Sequence, residues 1–296
     1  METVLITGKG LIAKHLGSKL LELGYRVKYL SRTTSDQTYT WNIDKGQIDD
    51  EAISSADYII HLAGANISGK RWTNKRKQEI IDSRVKSTQL IFNEVKKQNK
   101  KLKAFISASA VGYYGAITSD KIFKEDDPPA SDFLGEVCNK WEQPADNFQG
   151  LGIRTTKIRI GVVLTENGGA LEKMIPPVKM GIGSPIGTGK QYLPWIHVDD
   201  LCSIFIKAIK DSKMDGVYNA VAPDFKTNKE FTKDLAKALN KPFWFPNIPA
   251  FTMKLMFGEM ATILLNGSRV SSEKIRETGF AFKFPDLKNA LADILN

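Results

Sequence analysis

The side chains that could carry out acid–base chemistry follow the end of an apolar, strand-like segment. Ser109 comes directly after Ala104–Ala108, and Tyr113 and Tyr114 follow a few residues later, just after a glycine. A serine hydroxyl can polarise a carbonyl oxygen, and a phenol can exchange a proton with it. The sequence therefore offers Ser109, Tyr113 and Tyr114 as candidate catalytic residues. Their alternative roles are capping for the serine and packing for the two aromatic rings.

A glycine turn supplies a second kind of chemistry, which is phosphate binding. Gly8 and Gly10 follow the apolar segment Thr3–Thr7, and Gly8-x-Gly10-x-x-Ala13 matches the dinucleotide-binding fingerprint. The first glycine permits a tight bend, the second lets the backbone approach a diphosphate, and the next helix directs free N–H groups at the phosphates. Glycines also mark ordinary strand-to-helix turns, but here a strand pattern and a helix pattern flank them. We therefore predict a dinucleotide site.

The end of the second strand pattern, Arg26–Ser31, indicates which nucleotide binds. An NAD site places a carboxylate there for the ribose 2′-hydroxyl, whereas an arginine suits the 2′-phosphate of NADP. Arg32 follows directly, and no acidic residue precedes Asp36. A guanidinium binds phosphate in a bidentate geometry, so we predict NADP; the alternative is that Arg32 is a solvated surface residue. The predicted cofactor-binding residues are Thr7, Gly8, Gly10, Leu11, Ile12, Ser31, Arg32, Leu62, Ala63, Gly64 and Asn66.

The segments that position these residues alternate between strand and helix patterns. Asp57–Ala63, Ala104–Ala108 and Ile153–Ile160 are strand-like, and a helical pattern of apolar residues extends from about Thr73 to Lys97. Such alternation predicts an α/β fold, with a Rossmann-type, doubly wound parallel sheet that is covered on both faces.

The pattern changes after Gly161, where glycine and proline become frequent up to Pro194. Loops rich in these residues often shape substrate pockets. We predict an NADP-binding domain over residues 1–165 and a smaller mixed, mainly helical C-terminal substrate lobe over residues 166–296. Residues 190–221 are expected to contribute strands back to the main sheet, and Asp199 is expected to cap the helix that begins there.

The composition is that of an ordinary globular protein, and we expect its partner to be a small-molecule substrate. The hydrophobic fraction is 42% and the charged fraction is 25%, which are ordinary values. The net charge is +9, but the basic residues are scattered and no zinc-finger or aromatic RNA-binding pattern accompanies them, so we predict no nucleic-acid partner. No apolar run approaches the roughly 20 residues of a membrane span, so we predict no membrane partner.

Cysteine and histidine are too sparse to indicate a metal site or a disulfide framework. The two cysteines, Cys138 and Cys202, lack paired spacing, which suits a reducing cytoplasm. The chain opens directly on a strand pattern, so we expect no signal peptide and a cytoplasmic location. His61 and His197 lie in strand patterns and are expected to be structural hydrogen-bonding groups. The sequence leaves the oligomeric state open, with a homodimer as one alternative.

Six short motifs follow one another along the chain: Thr7–Ala13, His61–Gly64, Ser107–Ser109, Arg159–Leu164, Trp195–Leu201 and Leu264–Val270. In this order they resemble the extended short-chain dehydrogenase/reductase superfamily. Finer details resemble an atypical subgroup of bacterial sugar-epimerase-like proteins, some of which are labelled cell-division inhibitors. The resemblance implies a nicotinamide dinucleotide and hydride chemistry at a carbonyl or hydroxyl group.

Two departures from that family's pattern bear on the chemistry. Only Lys9 stands between Gly8 and Gly10, where the family normally has two residues. The family's tyrosine–lysine pair falls on Leu134 and Cys138, and neither side chain can do acid–base work of that type. Two hypotheses follow: an NADP-binding oxidoreductase or epimerase-like enzyme with non-standard acid–base groups, or a catalytically silent NADP(H)-binding sensor or regulatory protein. The intact glycine turn disfavours a structural role without nucleotide.

Four basic residues are candidates for binding an anionic substrate, such as a nucleotide-linked sugar. Their alternative role is an ordinary surface salt bridge. They are Arg71, Arg84, Lys190 and Arg269.

Overall fold

The computed structural model describes residues 1–166 and 168–295. Its strands are β1 (Thr3–Thr7), β2 (Arg26–Ser31), β3 (Thr38–Asn42), β4 (Gln47–Ile48), β5 (Tyr58–His61), β6 (Ala104–Ala110), β7 (Ile122–Phe123), β8 (Thr155–Ile160), β9 (Val162–Leu164), β10 (Trp195–His197), β11 (Gly216–Ala220) and β12 (Arg269–Val270). Its α-helices are α1 (Leu11–Glu22), α2 (Asp50–Ser54), α3 (Asn74–Lys97), α4 (Phe133–Asp146), α5 (Gly169–Lys179), α6 (Val198–Lys210), α7 (Asn228–Ala238), α8 (Ala250–Phe257), α9 (Thr262–Leu265), α10 (Glu273–Glu277) and α11 (Leu287–Leu295). Short 3₁₀ helices span Val111–Tyr114, Asn147–Leu151 and Gly258–Ala261.

Eight strands form one sheet in the order β11-β8-β6-β5-β1-β2-β3-β4. Neighbouring strands are parallel except for β3 and β4, which pair antiparallel. Every residue of β1 and β5 is buried, as expected for central strands with helices on both faces. The chain order turns back at β1, with β2 on one side and β5 on the other, which creates a crevice at the carboxyl ends of these strands. This confirms the predicted α/β, Rossmann-type fold.

Two hydrophobic cores cover the two faces of the sheet. Successive side chains of a strand point to opposite faces, so Ile6 of β1 packs with Leu16 of α1 and Phe205 of α6, whereas Leu5 packs with Ile91 of α3. Each such fully buried side chain contributes about 1.5–3 kcal/mol to folding. Because both sides of β1 are fixed in this way, the turn that follows β1 has a rigid base.

Helix α3 begins where the sequence pattern predicts. The Thr73 hydroxyl accepts the Arg76 N–H at 3.2 Å and caps the helix, which ends at Lys97. Such a cap contributes about 1 kcal/mol. The predicted helix from about Thr73 to Lys97 is therefore confirmed, and it places one of its faces against the crevice.

The second part of the chain contributes to several layers. Strand β11 pairs with β8 in the main sheet, while β9 and β10 form a separate parallel pair and β7 pairs with β12. A third core joins Leu235 of α7 to Leu291 of α11. The division into domains at residue 165 stays a prediction.

Helix α5 lies in the glycine- and proline-rich stretch, for which the sequence pattern had indicated loops but no particular helix. Pro176 and Pro177 lie inside this helix. A proline removes the hydrogen bond to the carbonyl four residues earlier. Glu172 and Lys173, whose carbonyls lose these partners, are exposed on the surface, where water can satisfy them.

The start of α6 corrects the capping prediction. The cap is His197, whose Nδ1 accepts the Asp199 N–H at 3.1 Å. The Asp199 carboxylate instead binds α1, at 2.7 Å from His15 Nε2 and 3.0 Å from Lys19 Nζ. Burial raises the pKa of Asp199, but these hydrogen bonds outweigh burial and hold the pKa well below its usual range.

The next residue, Asp200, ties α6 to the last quarter of the chain. Its two carboxylate oxygens accept the backbone N–H groups of Lys283 at 2.7 Å and Phe284 at 2.9 Å. Adjacent carboxylates on one helical turn thus connect α1, α6 and the segment before α11.

Candidate nucleotide-binding site

The glycine turn after β1 has the geometry that phosphate binding requires. Gly8 has φ +83°, a conformation that favours glycine, and its N–H donates to the Leu30 carbonyl at 2.8 Å. Gly10 precedes α1, and a Cβ added there would meet nothing within 4 Å, so its backbone borders open space. No side chain among the described residues caps α1. The first N–H groups of this helix are therefore available to an anion.

A cleft with a cavity volume of about 1080 Å³ opens at this turn. Its walls are the turn itself, the ends of β2, β3 and β5, and one face of α3. The lining residues are Gly8, Lys9, Gly10, Ser31, Arg32, Trp41, Asn42, Ile43, Asp44, Leu62, Ala63, Gly64, Ala65, Asn66, Lys75, Arg76, Gln78, Glu79, Asp82, Ser83 and Lys86. The structure thus brings together eight of the predicted cofactor-binding residues, namely Gly8, Gly10, Ser31, Arg32, Leu62, Ala63, Gly64 and Asn66.

The other three predicted residues lie behind the wall. The Thr7 hydroxyl accepts the N–H groups of Leu62 at 3.0 Å and Ala63 at 3.1 Å, and so it fixes the segment after β5 against β1. Leu11 and Ile12 pack against the core beneath α1. These side chains shape the cleft without lining it.

His61 supports the same wall. Its Nδ1 lies 2.8 Å from the Thr7 hydroxyl and its Nε2 lies 3.1 Å from the Ser87 hydroxyl. Because Ser87 donates its own proton to the Ser83 carbonyl, these partners assign the ring proton to Nε2. Burial, and then the charge of Arg84, lower the pKa of His61 to about 3. His61 is a neutral brace between β1, β5 and α3.

Positive charge gathers where the adenosine half of a dinucleotide would lie. Arg32 is exposed at the end of β2. Lys9 lies 5.5 Å from the centroid of the Tyr29 ring and hydrogen-bonds Ser35. Among the described residues, neither cation forms an ion pair with a carboxylate. From the sequence, Lys9 was noted only as the residue between Gly8 and Gly10, although a lysine between two turn glycines is itself a signal of anion binding.

The α3 wall adds further cations, none of which was among the residues predicted from the sequence to bind a ligand. Lys75, Arg76 and Lys86 all line the cleft. Arg76 pairs with Glu79 at 2.8 Å, and Lys86 pairs with a neighbouring aspartate at 2.8 Å. The cleft as a whole carries more cations than carboxylates, which suits a polyanionic ligand.

The candidate catalytic residues gather around Arg159 of β8, outside the set that lines the cleft. Arg159 Nε and Nη2 donate to the two oxygens of Glu142 at 2.8 and 3.0 Å. Ser109 Oγ donates to the same carboxylate at 2.6 Å, and all three side chains are buried. Burial lowers the pKa of Arg159, but the hydrogen bonds and charge of Glu142 outweigh it and raise the pKa. The Ser109 proton is therefore committed to a buried ion pair.

The two tyrosines differ in how their hydroxyls are used. Tyr114 is fully buried; its hydroxyl donates to Asn219 Oδ1 at 2.7 Å and accepts from Arg159 Nη1 at 2.9 Å. Tyr113 is half-buried, and its ring lies on the Arg159 guanidinium, 3.3 Å from centroid to Cζ. Its hydroxyl donates to no acceptor among the described residues. Burial raises the pKa of both phenols, and Arg159 opposes this only in part.

The structure does not bring the four substrate candidates into one pocket. Arg71 Nε donates to a backbone carbonyl of α8 at 2.9 Å, and Lys190 is exposed. The Arg269 guanidinium lies near two aromatic rings, 4.3 Å from the centroid of Phe225 and 5.5 Å from that of Tyr192. Arg84 is buried behind the cleft wall.

The described residues contain neither a metal site nor a membrane-spanning helix. Across residues 1–166 and 168–295, no group of three or more histidine, cysteine, aspartate or glutamate side chains is placed to hold a metal ion. In the same ranges, every helix is too short or too polar to cross a membrane.

Comparison with known proteins gives concordant matches over the whole chain. Residues 4–220 match the NAD dependent epimerase/dehydratase family, and residues 248–294 match a domain of unknown function, DUF1731. Epimerase family protein YfhF of Bacillus subtilis is 36% identical, with 100% of this chain and 98% of that protein covered. Epimerase family protein SDR39U1 of Mus musculus is 34% identical, with 97% of each chain covered.

Solved structures agree with these matches. Human epimerase family protein SDR39U1 (isoform 2), crystallised with NADPH, is 33% identical and has a TM-score of 0.89, with 99% of this chain and 98% of that chain covered. UDP-glucose 4-epimerase of Thermotoga maritima, at 19% identity and a TM-score of 0.77, shares the fold. The resemblance stated from the motifs is therefore confirmed. The chain belongs to the NAD dependent epimerase/dehydratase family.

Proposed function

We propose that this chain is an NADP(H)-binding, epimerase-like oxidoreductase that acts on a carbonyl or hydroxyl group of a small molecule. The observation that carries the proposal is the cleft at the glycine turn, where open helix N–H groups and two cations without carboxylate partners among the described residues face one cavity. The relative SDR39U1, crystallised with NADPH, supports the same cofactor.

The residues of the cleft fit NADP(H). The diphosphate would lie on the N–H groups beside Gly10 at the start of α1. Arg32 and Lys9 would bind the 2′-phosphate, and the segment Ser31–Thr34 contains no carboxylate that would repel it. Bound NADP(H) supplies the hydride chemistry, while the protein orients the cofactor and excludes water.

Tyr113 is the proton donor of this proposal. Of the three candidate residues, it alone keeps its hydroxyl proton uncommitted among the described residues. Its raised pKa keeps the phenol protonated at neutral pH, so it suits donation to a developing alkoxide better than proton abstraction. Ser109 and Tyr114 act as positioning residues, because they hold Glu142 and Arg159 beneath the Tyr113 ring.

Binding and turnover test the proposal together. Isothermal titration calorimetry should detect NADPH binding, and a panel of aldehydes, ketones and nucleotide-linked keto-sugars should reveal NADPH oxidation. Tyr113→Phe should lower turnover by about 100-fold or more and leave NADPH affinity unchanged. The matched control is Tyr25→Phe, because Tyr25 is another partly buried tyrosine, packed on Tyr58 at the start of β2. Full turnover by Tyr113→Phe would contradict the role of Tyr113 as proton donor. Absence of NADPH binding would contradict the proposed function as a whole.

A catalytically silent NADP(H) sensor is the second candidate, and one observation favours it. Leu134 and Cys138 pack against Gly112, where an added Cβ would lie 3.4 Å from Leu134 Cβ and 3.6 Å from Cys138 Sγ. Burial raises the pKa of Cys138 to about 12, so neither of these two side chains titrates at neutral pH. Tight NADPH binding without turnover on the whole panel would favour the sensor. Sedimentation of the same preparation tests the homodimer.

A further inference from the structure

Large apolar side chains are exposed together in the second half of the chain. Twelve such side chains are exposed among the described residues, and seven of them lie between residues 180 and 256. Single exposed apolar residues are ordinary, but a concentration of them marks an interaction site. We term the seven the apolar surface, which consists of Met180 (67% exposed), Ile182, Trp244 (71%), Phe245, Phe251 (70%), Leu255 (75%) and Met256.

The two segments that carry the apolar surface lie side by side. A Cβ added at Gly181 would lie 3.7 Å from Pro242 Cγ, and Ile186 forms a parallel β-bridge with Ile248. Helix α8 begins two residues after this bridge. The exposed apolar side chains therefore belong to one region of the molecule.

Helix α8 is fixed with apolar residues facing outward. Met253 is buried, whereas Phe251 and Leu255, four residues apart, lie on one exposed face. Arg71 Nε donates to the Met256 carbonyl at 2.9 Å, and Arg71 Nη2 donates to the Leu255 carbonyl. Because the backbone of α8 is tethered in this way, the exposure of its side chains is part of the fold.

Lysines border the apolar surface, and both of its segments lack carboxylates. Lys179, Lys241 and Lys254 each adjoin an exposed apolar residue in the sequence and are themselves exposed. Among the described residues, none of the three forms an ion pair. No aspartate or glutamate occurs in residues 173–198 or 235–258. The region thus combines apolar side chains with uncompensated positive charge.

This combination suits an anionic lipid surface better than a protein partner. Protein–protein interfaces are enriched in tyrosine and arginine and depleted in lysine, but residues 173–190 and 240–256 contain neither tyrosine nor arginine, and their charged side chains are all lysines. A second copy bound through the same surface would bring the lysines of both copies together, which is unfavourable. Anionic lipids attract lysine, and tryptophan and phenylalanine are favoured at the level of the headgroups.

We propose that the apolar surface docks this protein onto an anionic lipid bilayer. Trp244, Phe251 and Leu255 enter the boundary between headgroups and acyl chains, while the bordering lysines bind lipid phosphates. Such docking needs no spanning helix, so it departs from the sequence prediction of no membrane partner, which considered only spanning runs. It also gives a role to the start of residues 248–294, which match a domain of unknown function.

Vesicle binding by the full chain tests the proposal. Cosedimentation should show binding to vesicles of phosphatidylglycerol and phosphatidylcholine, and binding at least about tenfold weaker to phosphatidylcholine alone, since each lysine near an anionic surface contributes about fivefold. Phe251→Ser combined with Leu255→Ser should lower the partition coefficient at least about tenfold. The matched control is Leu21→Ser combined with Leu23→Ser, because these side chains are 50% and 48% exposed at the end of α1, outside the apolar surface. The control should bind like wild type.

A charge-matched pair of variants separates the bordering lysines from the overall charge. Lys241→Glu combined with Lys254→Glu should weaken vesicle binding at least about tenfold. Lys96→Glu combined with Lys101→Glu, at exposed positions elsewhere, should weaken it less than about threefold. Both changes lower the net charge from +9 to +5, since each replacement of lysine by glutamate removes two charges.

Trp244 provides an intrinsic probe of docking. The other four tryptophans of the chain are buried, whereas Trp244 is exposed. Its emission should shift to shorter wavelength when anionic vesicles are added, because the ring leaves water. Trp244→Phe should lose this shift and still bind the vesicles.

Several results would overturn lipid docking. They are absence of vesicle binding by wild type, equal binding by the surface variants and their controls, and absence of the Trp244 shift. The same shift with soluble poly-L-glutamate would assign the surface to an acidic polypeptide, and dimerisation abolished by the Phe251→Ser and Leu255→Ser changes would assign it to a second copy; either result also contradicts docking. If the serine variant does not fold, as judged by circular dichroism, the glutamate variants and the Trp244 shift decide. None of these measurements uses NADPH, so the proposed function is tested separately.

Discussion

Replacing Glu142 with glutamine should destabilise the fold even though the side chain keeps its size. The carboxylate accepts hydrogen bonds from Arg159 Nε at 2.8 Å, Arg159 Nη2 at 3.0 Å and Ser109 Oγ at 2.6 Å. A glutamine has one acceptor oxygen, and its NH₂ group would have to face a donor. Arg159 would remain buried with its charge no longer balanced.

The magnitude follows from the burial of the pair. Removing one partner of a buried ion pair costs about 3–5 kcal/mol. Because glutamine retains one acceptor, we expect a loss near the lower end, about 3 kcal/mol. With a urea m-value of about 3 kcal/mol per molar, the unfolding midpoint would fall by about 1 M.

Urea unfolding followed by tryptophan fluorescence measures this shift. The matched control is Glu136→Gln on the same helix, since Glu136 pairs with Lys140 at 2.7 Å and both side chains are 48% exposed. That change should cost less than about 0.5 kcal/mol. Equal midpoints for the two variants would refute the reasoning. Glu142→Leu combined with Arg159→Met should recover much of the loss, because no buried charge then lacks a partner.

Three further predictions concern the turn, the helix links and a glycine contact. Arg32→Ala should weaken NADPH binding by roughly tenfold and leave NADH binding unchanged in calorimetry; a parallel loss of NADH affinity would contradict the 2′-phosphate assignment. In the folded protein the pKa of Asp199 is held below its unfolded value of about 3.9. The ionised carboxylate therefore contributes its full stabilisation of the fold above about pH 3.9, and this contribution is lost as the pH falls below that value. The difference in urea midpoint between wild type and Asp199→Asn should therefore shrink as the pH falls through about 4 to 2, and a constant difference would contradict this. Gly135→Ala would put a Cβ 2.1 Å from the Ala130 carbonyl oxygen and should cost about 1–3 kcal/mol or more, whereas Gly150→Ala meets nothing within 4 Å; similar melting temperatures for the two variants would count against the contact.

Local sequence patterns made the fold predictable, together with the part of the nucleotide-binding site at the glycine turn. The strand-turn-helix signal at Gly8 depends on a backbone conformation that few other residues adopt, and the structure has φ +83° there. Thr73 marks the start of α3 because its hydroxyl can cap a helix. Such features are determined within a few residues of the chain, so a single sequence reveals them.

Contacts between distant elements were not predictable in the same way. Glu142 and Arg159 meet only because α4 packs beside β8. Nothing in the local sequence around either residue distinguishes it from an exposed charged residue. Ser109 was chosen for its position after a strand, but its role depends on that buried pair. Arg84 did leave a signal, because it falls on the buried helix face with Ile80 and Ile91. That signal was overlooked because arginine is rarely buried.

The neighbouring carboxylates at the start of α6 have a consequence for long-range communication. Asp199 tethers the phosphate-facing helix α1, and Asp200 tethers the main chain at Lys283 and Phe284. A ligand that stiffens α1 should therefore also restrain, through one turn of α6, a segment more than 260 residues further along the chain. The amide protons of Lys283 and Phe284 should accordingly exchange with deuterium more slowly when the nucleotide is present.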